Sequence, residues 1–431
     1  MRKFFSIILT FVAVIAFVPL VAGCLPQNDY EKETEIATGI ETKTAGYWSD
    51  KNQTYYGLKV SYGTLVLGEQ EFYGVGLNFY NLFNDSFQSY RDTGEFNLKR
   101  SFEGLRVMAE NKIPVVRFNV MGYDRSLYND ISLRGGDTSI YVNHKQDYLK
   151  ALKALADEAE RLHVGLIPSF FWCVGDIQDY YDEPLNYIGN PDSQTVLHIR
   201  QFTKDIVDTL KNNKSVWGFE FGNEINNIAD LPNWIEHTPP LAPWSIRASR
   251  TIEDKITTDA VNYIYSVFAK TVKENDPYKR MVSSGNGEIH VSQYNNWKNG
   301  LWMEDTINQY REVSSFLNPK PIDTAGEHFY DILTFTERVQ KLLDYGEANN
   351  QAVIIGEFGA VIPTGKKPPV GNLETWNNFF NVVVSKKVQL SLAWNYMAVG
   401  TSIKDSFNEN TEYGRAILKM IKAANNKFAE Y

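Results

Sequence analysis

Eight short β-rich runs, each separated from the next by a longer stretch, constrain this chain more than any other feature. They are FYGVGLNF (72–79), PVVRFNV (114–120), VGLIPSF (164–170), SVWGFEFG (215–222), RMVSSGN (280–286), TAGEHFY (324–330), AVIIGEF (352–358) and LSLAWNY (390–396). Most of the intervening segments, among them LKRSFEGLRVMAENK and YLKALKALADEAERLH, carry apolar residues three and four apart. That is the period of a helix burying one face. The segment 291–316 keeps the period less well, because aromatic residues interrupt it. Alternating strands and helices imply a parallel sheet, and eight such units in 431 residues predict an α/β fold, a single closed (β/α)8 TIM barrel, in preference to an open doubly wound sheet. No Gly-x-Gly-x-x-Gly follows any of the eight runs, which argues against a nucleotide-binding sheet. Ahead of the first run, alternation around Gly63 and Gly68 predicts an N-terminal hairpin.

The beginning of the chain has a different character. Arg2 and Lys3 precede an apolar run that ends in LVAGC at Cys24, the pattern of an export signal with a small-residue cleavage site. LVAGC resembles the lipobox of bacterial lipoproteins, which implies that Cys24 is lipidated and becomes the mature N-terminus. The expected organisation is a signal peptide over 1–23, a lipidated cysteine and polar tether over 24–45, and the barrel over 46–431. An uncleaved membrane anchor is the alternative, since the apolar run is almost long enough to span a bilayer. The lipid-anchored reading places the protein as an exported bacterial lipoprotein at a membrane surface. Only Cys173 then remains, so the mature protein has no intrachain disulfide, and Cys173 is expected to behave as a buried small hydrophobe.

The formal net charge of -9 excludes a polyanion as the natural partner, because phosphate binding relies on clustered Lys and Arg. Nucleic acid is therefore not expected, and a monomer is. Aromatic residues make up 14% of the chain, more than aliphatic barrel layers need. The excess calls for another use.

In a barrel of this type the chemistry belongs to residues at the C-terminal ends of the strands, which converge on one mouth. That rule selects Asn223 and Glu224 after the fourth run, His328 and Tyr330 at the sixth, Glu357 at the seventh and Trp394 on the eighth, with Arg117 on the second. Two facing carboxylates are suited to glycosidic chemistry, one protonating the leaving oxygen while the other attacks the anomeric carbon or activates water. The acid needs a raised pKa and the nucleophile must stay ionised. Asn223 is expected to bond a sugar hydroxyl, Arg117 and Tyr330 to stabilise Glu357, and His328 to meet substrate or orient the acid. Each residue alone has a plainer role: a helix cap for the Asn-Glu pair, an ion pair with Arg117 for Glu357, and core packing for His328 and Trp394.

Together these residues resemble clan A glycoside hydrolases, specifically glycoside hydrolase family five, the cellulase and mannanase family, from about Tyr47 onward. The resemblance implies that Glu224 is the acid/base beside Asn223, that Glu357 in IIGEFG is the nucleophile, and that Trp394 stacks under the reactive sugar. It likewise assigns Arg117, His328 and Tyr330 to the substrate site, with no cofactor and no metal. One departure is informative. Many cellulases of the family carry a histidine after the third strand, where this chain has SFFWCVGD, with Ser169, Phe170 and Trp172. GVGLNFYNLF and FFWCVGDIQDY look more like mannanase-type members.

The expected activity is thus a retaining hydrolase of a β-linked glycan, an endo-β-1,4-mannanase or a related β-glucanase. The alternative is a surface glycan-binding lipoprotein that has lost hydrolysis. The presence of both glutamates with Arg117 and Tyr330 favours the enzyme, because binding alone does not need them. Sugar rings pack their C–H faces on flat aromatics, which gives the surplus rings a purpose. Trp172, Trp234 and Trp244 are candidate substrate contacts, with Tyr180, Trp297 and Trp302 in the same predicted loops. Asp124, Asp176, Asp179 and Glu288 are further candidate substrate contacts near the mouth, though solvated loop carboxylates are the preferred reading.

Overall fold

The computed structural model describes residues 55–121, 136–172, 175–242, 245–360, 372–397 and 406–430. The leader, the tether with Cys24, and Asp124, Cys173 and Trp244 lie outside these residues.

Strands β1 (Leu58–Ser61), β2 (Thr64–Leu67) and β3 (Gln70–Glu71) form a small antiparallel sheet. Tyr62 and Gly63 turn β1 into β2 with φ of 50° and 77°, positive at both central residues as a type I′ hairpin requires. Leu58, Leu65, Leu67 and Phe72 then pack on Val115, Ile167, Trp217, Met281 and Leu390. Those partners lie at or near the N-terminal ends of barrel strands, so the hairpin plugs the barrel at the end opposite the mouth. The Leu58 N–H donates to the Trp217 carbonyl at 2.8 Å, which ties the plug to the wall.

The eight β-rich runs become β4 (Gly74–Asn78), β5 (Val115–Asn119), β6 (Gly165–Phe171), β7 (Gly218–Gly222), β8 (Met281–Ser283), β9 (Thr324–Phe329), β10 (Ala352–Phe358) and β11 (Leu390–Ala393). All pairs among them are parallel, in the spatial order β8-β7-β6-β5-β4-β11-β10-β9. First strand meets last through β4 and β11. Between β8 and β9 the wall is completed by the Asp323 N–H donating to the Val282 carbonyl at 3.1 Å and the Asp323 carboxylate accepting from the Val282 N–H at 3.0 Å. This is the expected (β/α)8 barrel.

Helices shield the outside. In Lys145–Arg161 the buried residues are Tyr148, Ala151, Leu152, Leu155, Ala156 and Ala159, the three-and-four spacing read from the sequence. Gln194–Leu210, Thr258–Asn275 and Glu412–Phe428 begin at Ser193, Thr257 and Thr411, whose side chains accept a backbone N–H from the first turn. The weaker segment 291–316 divides into two helices, Gln293–Asn299 and Ile307–Phe316, with an irregular link between them. Outward-facing residues such as Val116, Phe118, Phe219 and Phe221 join the helices in the main core. The residues alternating with them face the barrel interior, and there the polar groups collect.

Candidate active site

Arg117, in the middle of β5, is fully buried inside the barrel. A guanidinium has five N–H donors in a fixed plane, and all five are used. Nε donates to Glu220 Oε1 at 2.5 Å, Nη1 to Asn78 Oδ1 at 2.9 Å and to Glu357 Oε1 at 2.7 Å, and Nη2 to the Gly222 carbonyl at 3.2 Å and to Asn223 Oδ1 at 2.8 Å. One side chain on β5 thereby joins it to β4, β7 and β10. Burial opposes the charge, but Glu220 and Glu357 outweigh it and hold Arg117 above its usual pKa. Trp172 covers the guanidinium, with its ring centroid 4.6 Å from Cζ, and donates its indole N–H to Ser169 Oγ at 2.7 Å.

Glu357 ends β10 and is almost completely buried. One carboxylate oxygen accepts from Arg117, and the other accepts from the Tyr330 hydroxyl. Glu224 follows β7 and is partly open, its side chain 31% exposed. Its backbone takes φ of 55°, a left-handed conformation that costs energy for a residue other than glycine. The conformation is anchored by the Glu224 N–H donating to the Gly285 carbonyl at 2.9 Å. Gly285 is itself left-handed at φ +70°, and a Cβ there would lie 1.9 Å from the Gly222 carbonyl oxygen. No larger residue fits without moving the chain.

His328 links the two glutamates. Its Nδ1 lies 2.7 Å from Glu224 Oε1 and 3.5 Å from Glu357 Oε1, while Asn227 Nδ2 donates to Glu224 Oε2 at 3.3 Å. One atom each from Glu224, His328 and Glu357 lies within 4.8 Å of the others. Among the described residues this is also the set compact enough to ligate a metal. The carboxylate oxygens of Glu224 and Glu357 already accept from His328, Asn227, Arg117 and Tyr330, and Arg117 neutralises charge there, which suits proton transfer better than cation binding.

The electrostatic order differs from the expected one. Burial pushes the Glu224 carboxyl up, but the hydrogen bond and charge of His328, with help from Arg117, bring it below the usual value. Burial pushes Glu357 up, and the neighbouring Glu224 charge adds to that, so it stays raised against His328 and Arg117. Burial works against the His328 imidazolium, yet the two carboxylates raise its pKa overall. The more open carboxylate is therefore the stronger acid of the two. The reason is that Glu224 has its own imidazole donor, whereas Glu357 is withdrawn from water beside a second carboxylate.

Trp394 follows β11 next to Glu357, its N–H donating to the Phe358 carbonyl at 2.8 Å. Its half-buried ring stacks near Tyr80 (5.8 Å, 16°) and Trp172 (6.1 Å, 22°), and Tyr80 and Trp172 stack on each other (5.9 Å, 23°). Seven expected residues thus meet at the mouth: Asn223, Glu224, Arg117, His328, Tyr330, Glu357 and Trp394. Trp172 joins them, covering the Arg117 guanidinium. Trp234 lies on the short helix Trp234–His237, none of whose residues is buried. Trp297 packs on Phe316 at 4.2 Å, and Tyr180 meets Tyr181 edge-on. Asp179 is a buried bidentate partner of Arg250, at 2.7 and 2.8 Å, in place of a solvated loop carboxylate. Asp176 is buried as well, and Glu288 pairs with Arg338 at 3.0 Å.

The residues singled out at strand ends omit Glu220, Asn78 and Ser169, all of which the structure places in the network, although Asn78 is itself the last residue of β4 and fits the rule. Glu220 was legible in part, since GFEFG sets it between two outward phenylalanines on a strand of period two. It sits in mid-strand, where a rule about ends has nothing to say.

No protein-family model and no curated protein matches the chain. Solved structures do. An endo-1,4-beta-mannanase from Rhizomucor miehei superposes with a TM-score of 0.57 at 13% identity, covering 87% of this chain and all of that one (100%). A mutant of a glycoside hydrolase family 5 mannosidase from the same organism, in complex with mannosyl-fructose, gives 0.53 at 12% identity over 87% of this chain and 98% of that one. The endo-beta-1,4-mannanase from Thermotoga petrophila gives 0.53 at 13% identity over 84% and 78%. At these identities the likeness establishes the fold, a (β/α)8 barrel of the kind seen in these mannanase and mannosidase structures.

Proposed function

We propose that this chain is a retaining β-glycoside hydrolase, with Glu357 as nucleophile and Glu224 as acid/base, acting on β-1,4-linked mannan. The observation that carries the reading is the approach of one Glu224 carboxylate oxygen to within 4.8 Å of one Glu357 carboxylate oxygen at the mouth. Direct attack on the sugar needs carboxyl groups about 5 to 5.5 Å apart, whereas an inverting pair stands about 6.5 to 9.5 Å apart to admit a water.

In the first step a Glu357 oxygen bonds to the anomeric carbon while the bond to the leaving oxygen breaks and that oxygen takes the Glu224 proton. In the second, water loses a proton to Glu224 and attacks the same carbon, and Glu357 departs. Arg117 and Tyr330, the donors on Glu357, hold it in line and make it a better leaving group. Glu224 must be protonated when the first step begins. A glycan lying over its open face removes water from it and shifts it toward the protonated form.

Mannan is supported by the mannanase and mannosidase structures on the same barrel and by Ser169, which stands where many cellulases carry histidine. We place the enzyme outside the cell, tethered through lipidated Cys24, on the strength of LVAGC. Incubation with mannan, cellulose-type glucans and xylan, followed by proton NMR of the first products, tests the function. Mannan is expected to yield the β anomer first. An α anomer defeats retention, and no release from any of them defeats hydrolysis.

A further inference from the structure

Glu327 is a buried acid for which the proposed chemistry has no use. On β9 it stands beside His328 and so faces the opposite way, outward, on the face that sends Ala325 and Phe329 into the main core. Only 3% of it is exposed. A carboxylate among apolar side chains is unfavourable unless its oxygens are met. Both are: Oε1 accepts from the Tyr310 hydroxyl at 2.6 Å and Oε2 from the Ile289 N–H at 3.0 Å. Burial pushes the carboxyl up to about 7, against these two bonds and the Lys341 charge, with Glu288 adding to the rise. Packing alone does not call for such a group, because an apolar side chain would fill the same space between Ala325 and Phe329.

What Glu327 holds is the loop that follows β8. Four residues before Ile289, the Gly285 carbonyl accepts the Glu224 N–H at 2.9 Å. Two before it, the Gly287 N–H donates to Asn226 Oδ1 at 2.8 Å, and the Gly287 carbonyl accepts from Asn226 Nδ2 at 3.4 Å. Four beyond it, Gln293 Nε2 donates to the Asn226 carbonyl at 3.2 Å. The loop thus grips the turn 224–228, which opens on the left-handed backbone of Glu224. Such a conformation persists only where its surroundings hold it. Asn286 ties the middle of the loop to the helical shell, accepting from the Tyr265 hydroxyl at 2.8 Å and donating to the Leu317 carbonyl at 3.1 Å. Glu327 ties its far end to β9.

Two consecutive residues of β9 therefore bear on the same carboxyl. Outside the barrel Glu327 holds Ile289, and inside it His328 Nδ1 lies 2.7 Å from Glu224 Oε1. We infer that Glu327 is a positioning residue for the acid/base carboxyl: it anchors the loop whose Gly285 and Gly287 keep the Glu224 turn in register with His328. The inference rests on the proposed hydrolase reading for what Glu224 does, and Glu327 itself lies behind the barrel wall, away from substrate.

Three substitutions separate positioning from packing. Glu327→Leu fills the space and leaves the Ile289 N–H without its acceptor. Glu327→Asp is too short to reach both donors at once. Glu327→Gln reaches both, its amide oxygen accepting from Ile289 and its amide nitrogen donating to the Tyr310 hydroxyl, which turns to accept. The first measurement is the ratio of kcat/KM for mannohexaose to that for 2,4-dinitrophenyl β-mannobioside, whose phenolate leaves without a proton. General damage to the fold lowers both constants together and leaves the ratio alone. Glu327→Leu is expected to lower the ratio at least tenfold, Glu327→Asp at least threefold, and Glu327→Gln to keep it within about twofold of wild type. A smaller drop in Glu327→Leu, or in Glu327→Asp where the leucine variant does not fold, overturns the inference, as does a drop in Glu327→Gln as large as that in Glu327→Leu.

The second measurement needs no substrate. Amide hydrogen exchange, read by mass spectrometry, should quicken at least tenfold over 223–228 in Glu327→Leu, or in Glu327→Asp on the same terms, and stay as it is over 165–171 on β6. Unchanged exchange over 223–228, or an equal rise over 165–171, overturns the inference. Absence of turnover in the wild type would defeat the hydrolase reading alone, and the exchange would still decide whether Glu327 holds the turn.

Discussion

Arg117 Nη1 and Glu357 Oε1 meet at 2.7 Å inside the barrel, with both side chains withdrawn from water. Such a pair is costly to build and costlier to break, because removing one member strands the other's charge. Here the arrangement lies within reach of the second glutamate, so its cost is tied to a site where charge has to be held in a set position.

Glu357→Ala should lower kcat by roughly 10⁴- to 10⁶-fold, the range seen when a nucleophile is deleted. Adding azide should restore part of the activity and give a glycosyl azide of inverted configuration, detected by NMR. Retention of full activity would remove Glu357 from the mechanism.

Glu224→Gln removes the proton donor and keeps the side-chain volume. A loss of roughly 10²- to 10⁴-fold is expected on mannan, and a much smaller one in the glycosylation step of an aryl glycoside whose phenolate leaves without protonation. Pre-steady-state release of the phenolate measures that step. Equal losses on both substrates would mean that Glu224 does not act as the acid.

Arg117→Met should destabilise the fold by about 3–5 kcal/mol, read as a shift in the denaturant midpoint, since Glu220 and Glu357 both lose a buried partner. Adding Glu220→Gln removes one stranded charge and should recover part of the stability without recovering activity. A double variant no more stable than the single one would show that Glu220 does not share in the cost.

His328 titrates higher in the folded chain because of Glu357 and Glu224. A raised pKa contributes stability that is fully present below the unfolded value, about 6.5, and is lost as pH rises through the folded value. The stability advantage of wild type over His328→Asn should therefore be larger at pH 5.5 than at pH 9, measured by chemical denaturation. An advantage that grows with pH would contradict the linkage.

Much of this was legible from residue order. Strands of period two and helices of period 3.6 announce themselves in one dimension, and the rule that barrel chemistry gathers at strand ends picks out Asn223, Glu224, Tyr330 and Glu357 without knowledge of any contact. His328 and Trp394 come with them. Trp234 is selected only by its loop, where periodicity has no hold on direction. The segment 291–316, by contrast, has the most broken pattern, because it folds as two short helices joined by an irregular link and does not repeat along one packed face.

What the sequence by itself determined is the barrel, the order of its staves and the identity of the groups at its mouth, all set by local spacing. Only the tertiary structure decided how those groups act on one another. Closing the barrel brings Asn78, Arg117, Glu220, Asn223 and Glu357 from four strands together, although they are separated by up to 279 positions (357 - 78) in the chain. That closure completes the guanidinium's five hydrogen bonds and gives Glu224 its imidazole. It also leaves Glu357 the drier of the two carboxylates, since desolvation depends on what the rest of the fold excludes, and no stretch of neighbouring residues encodes that.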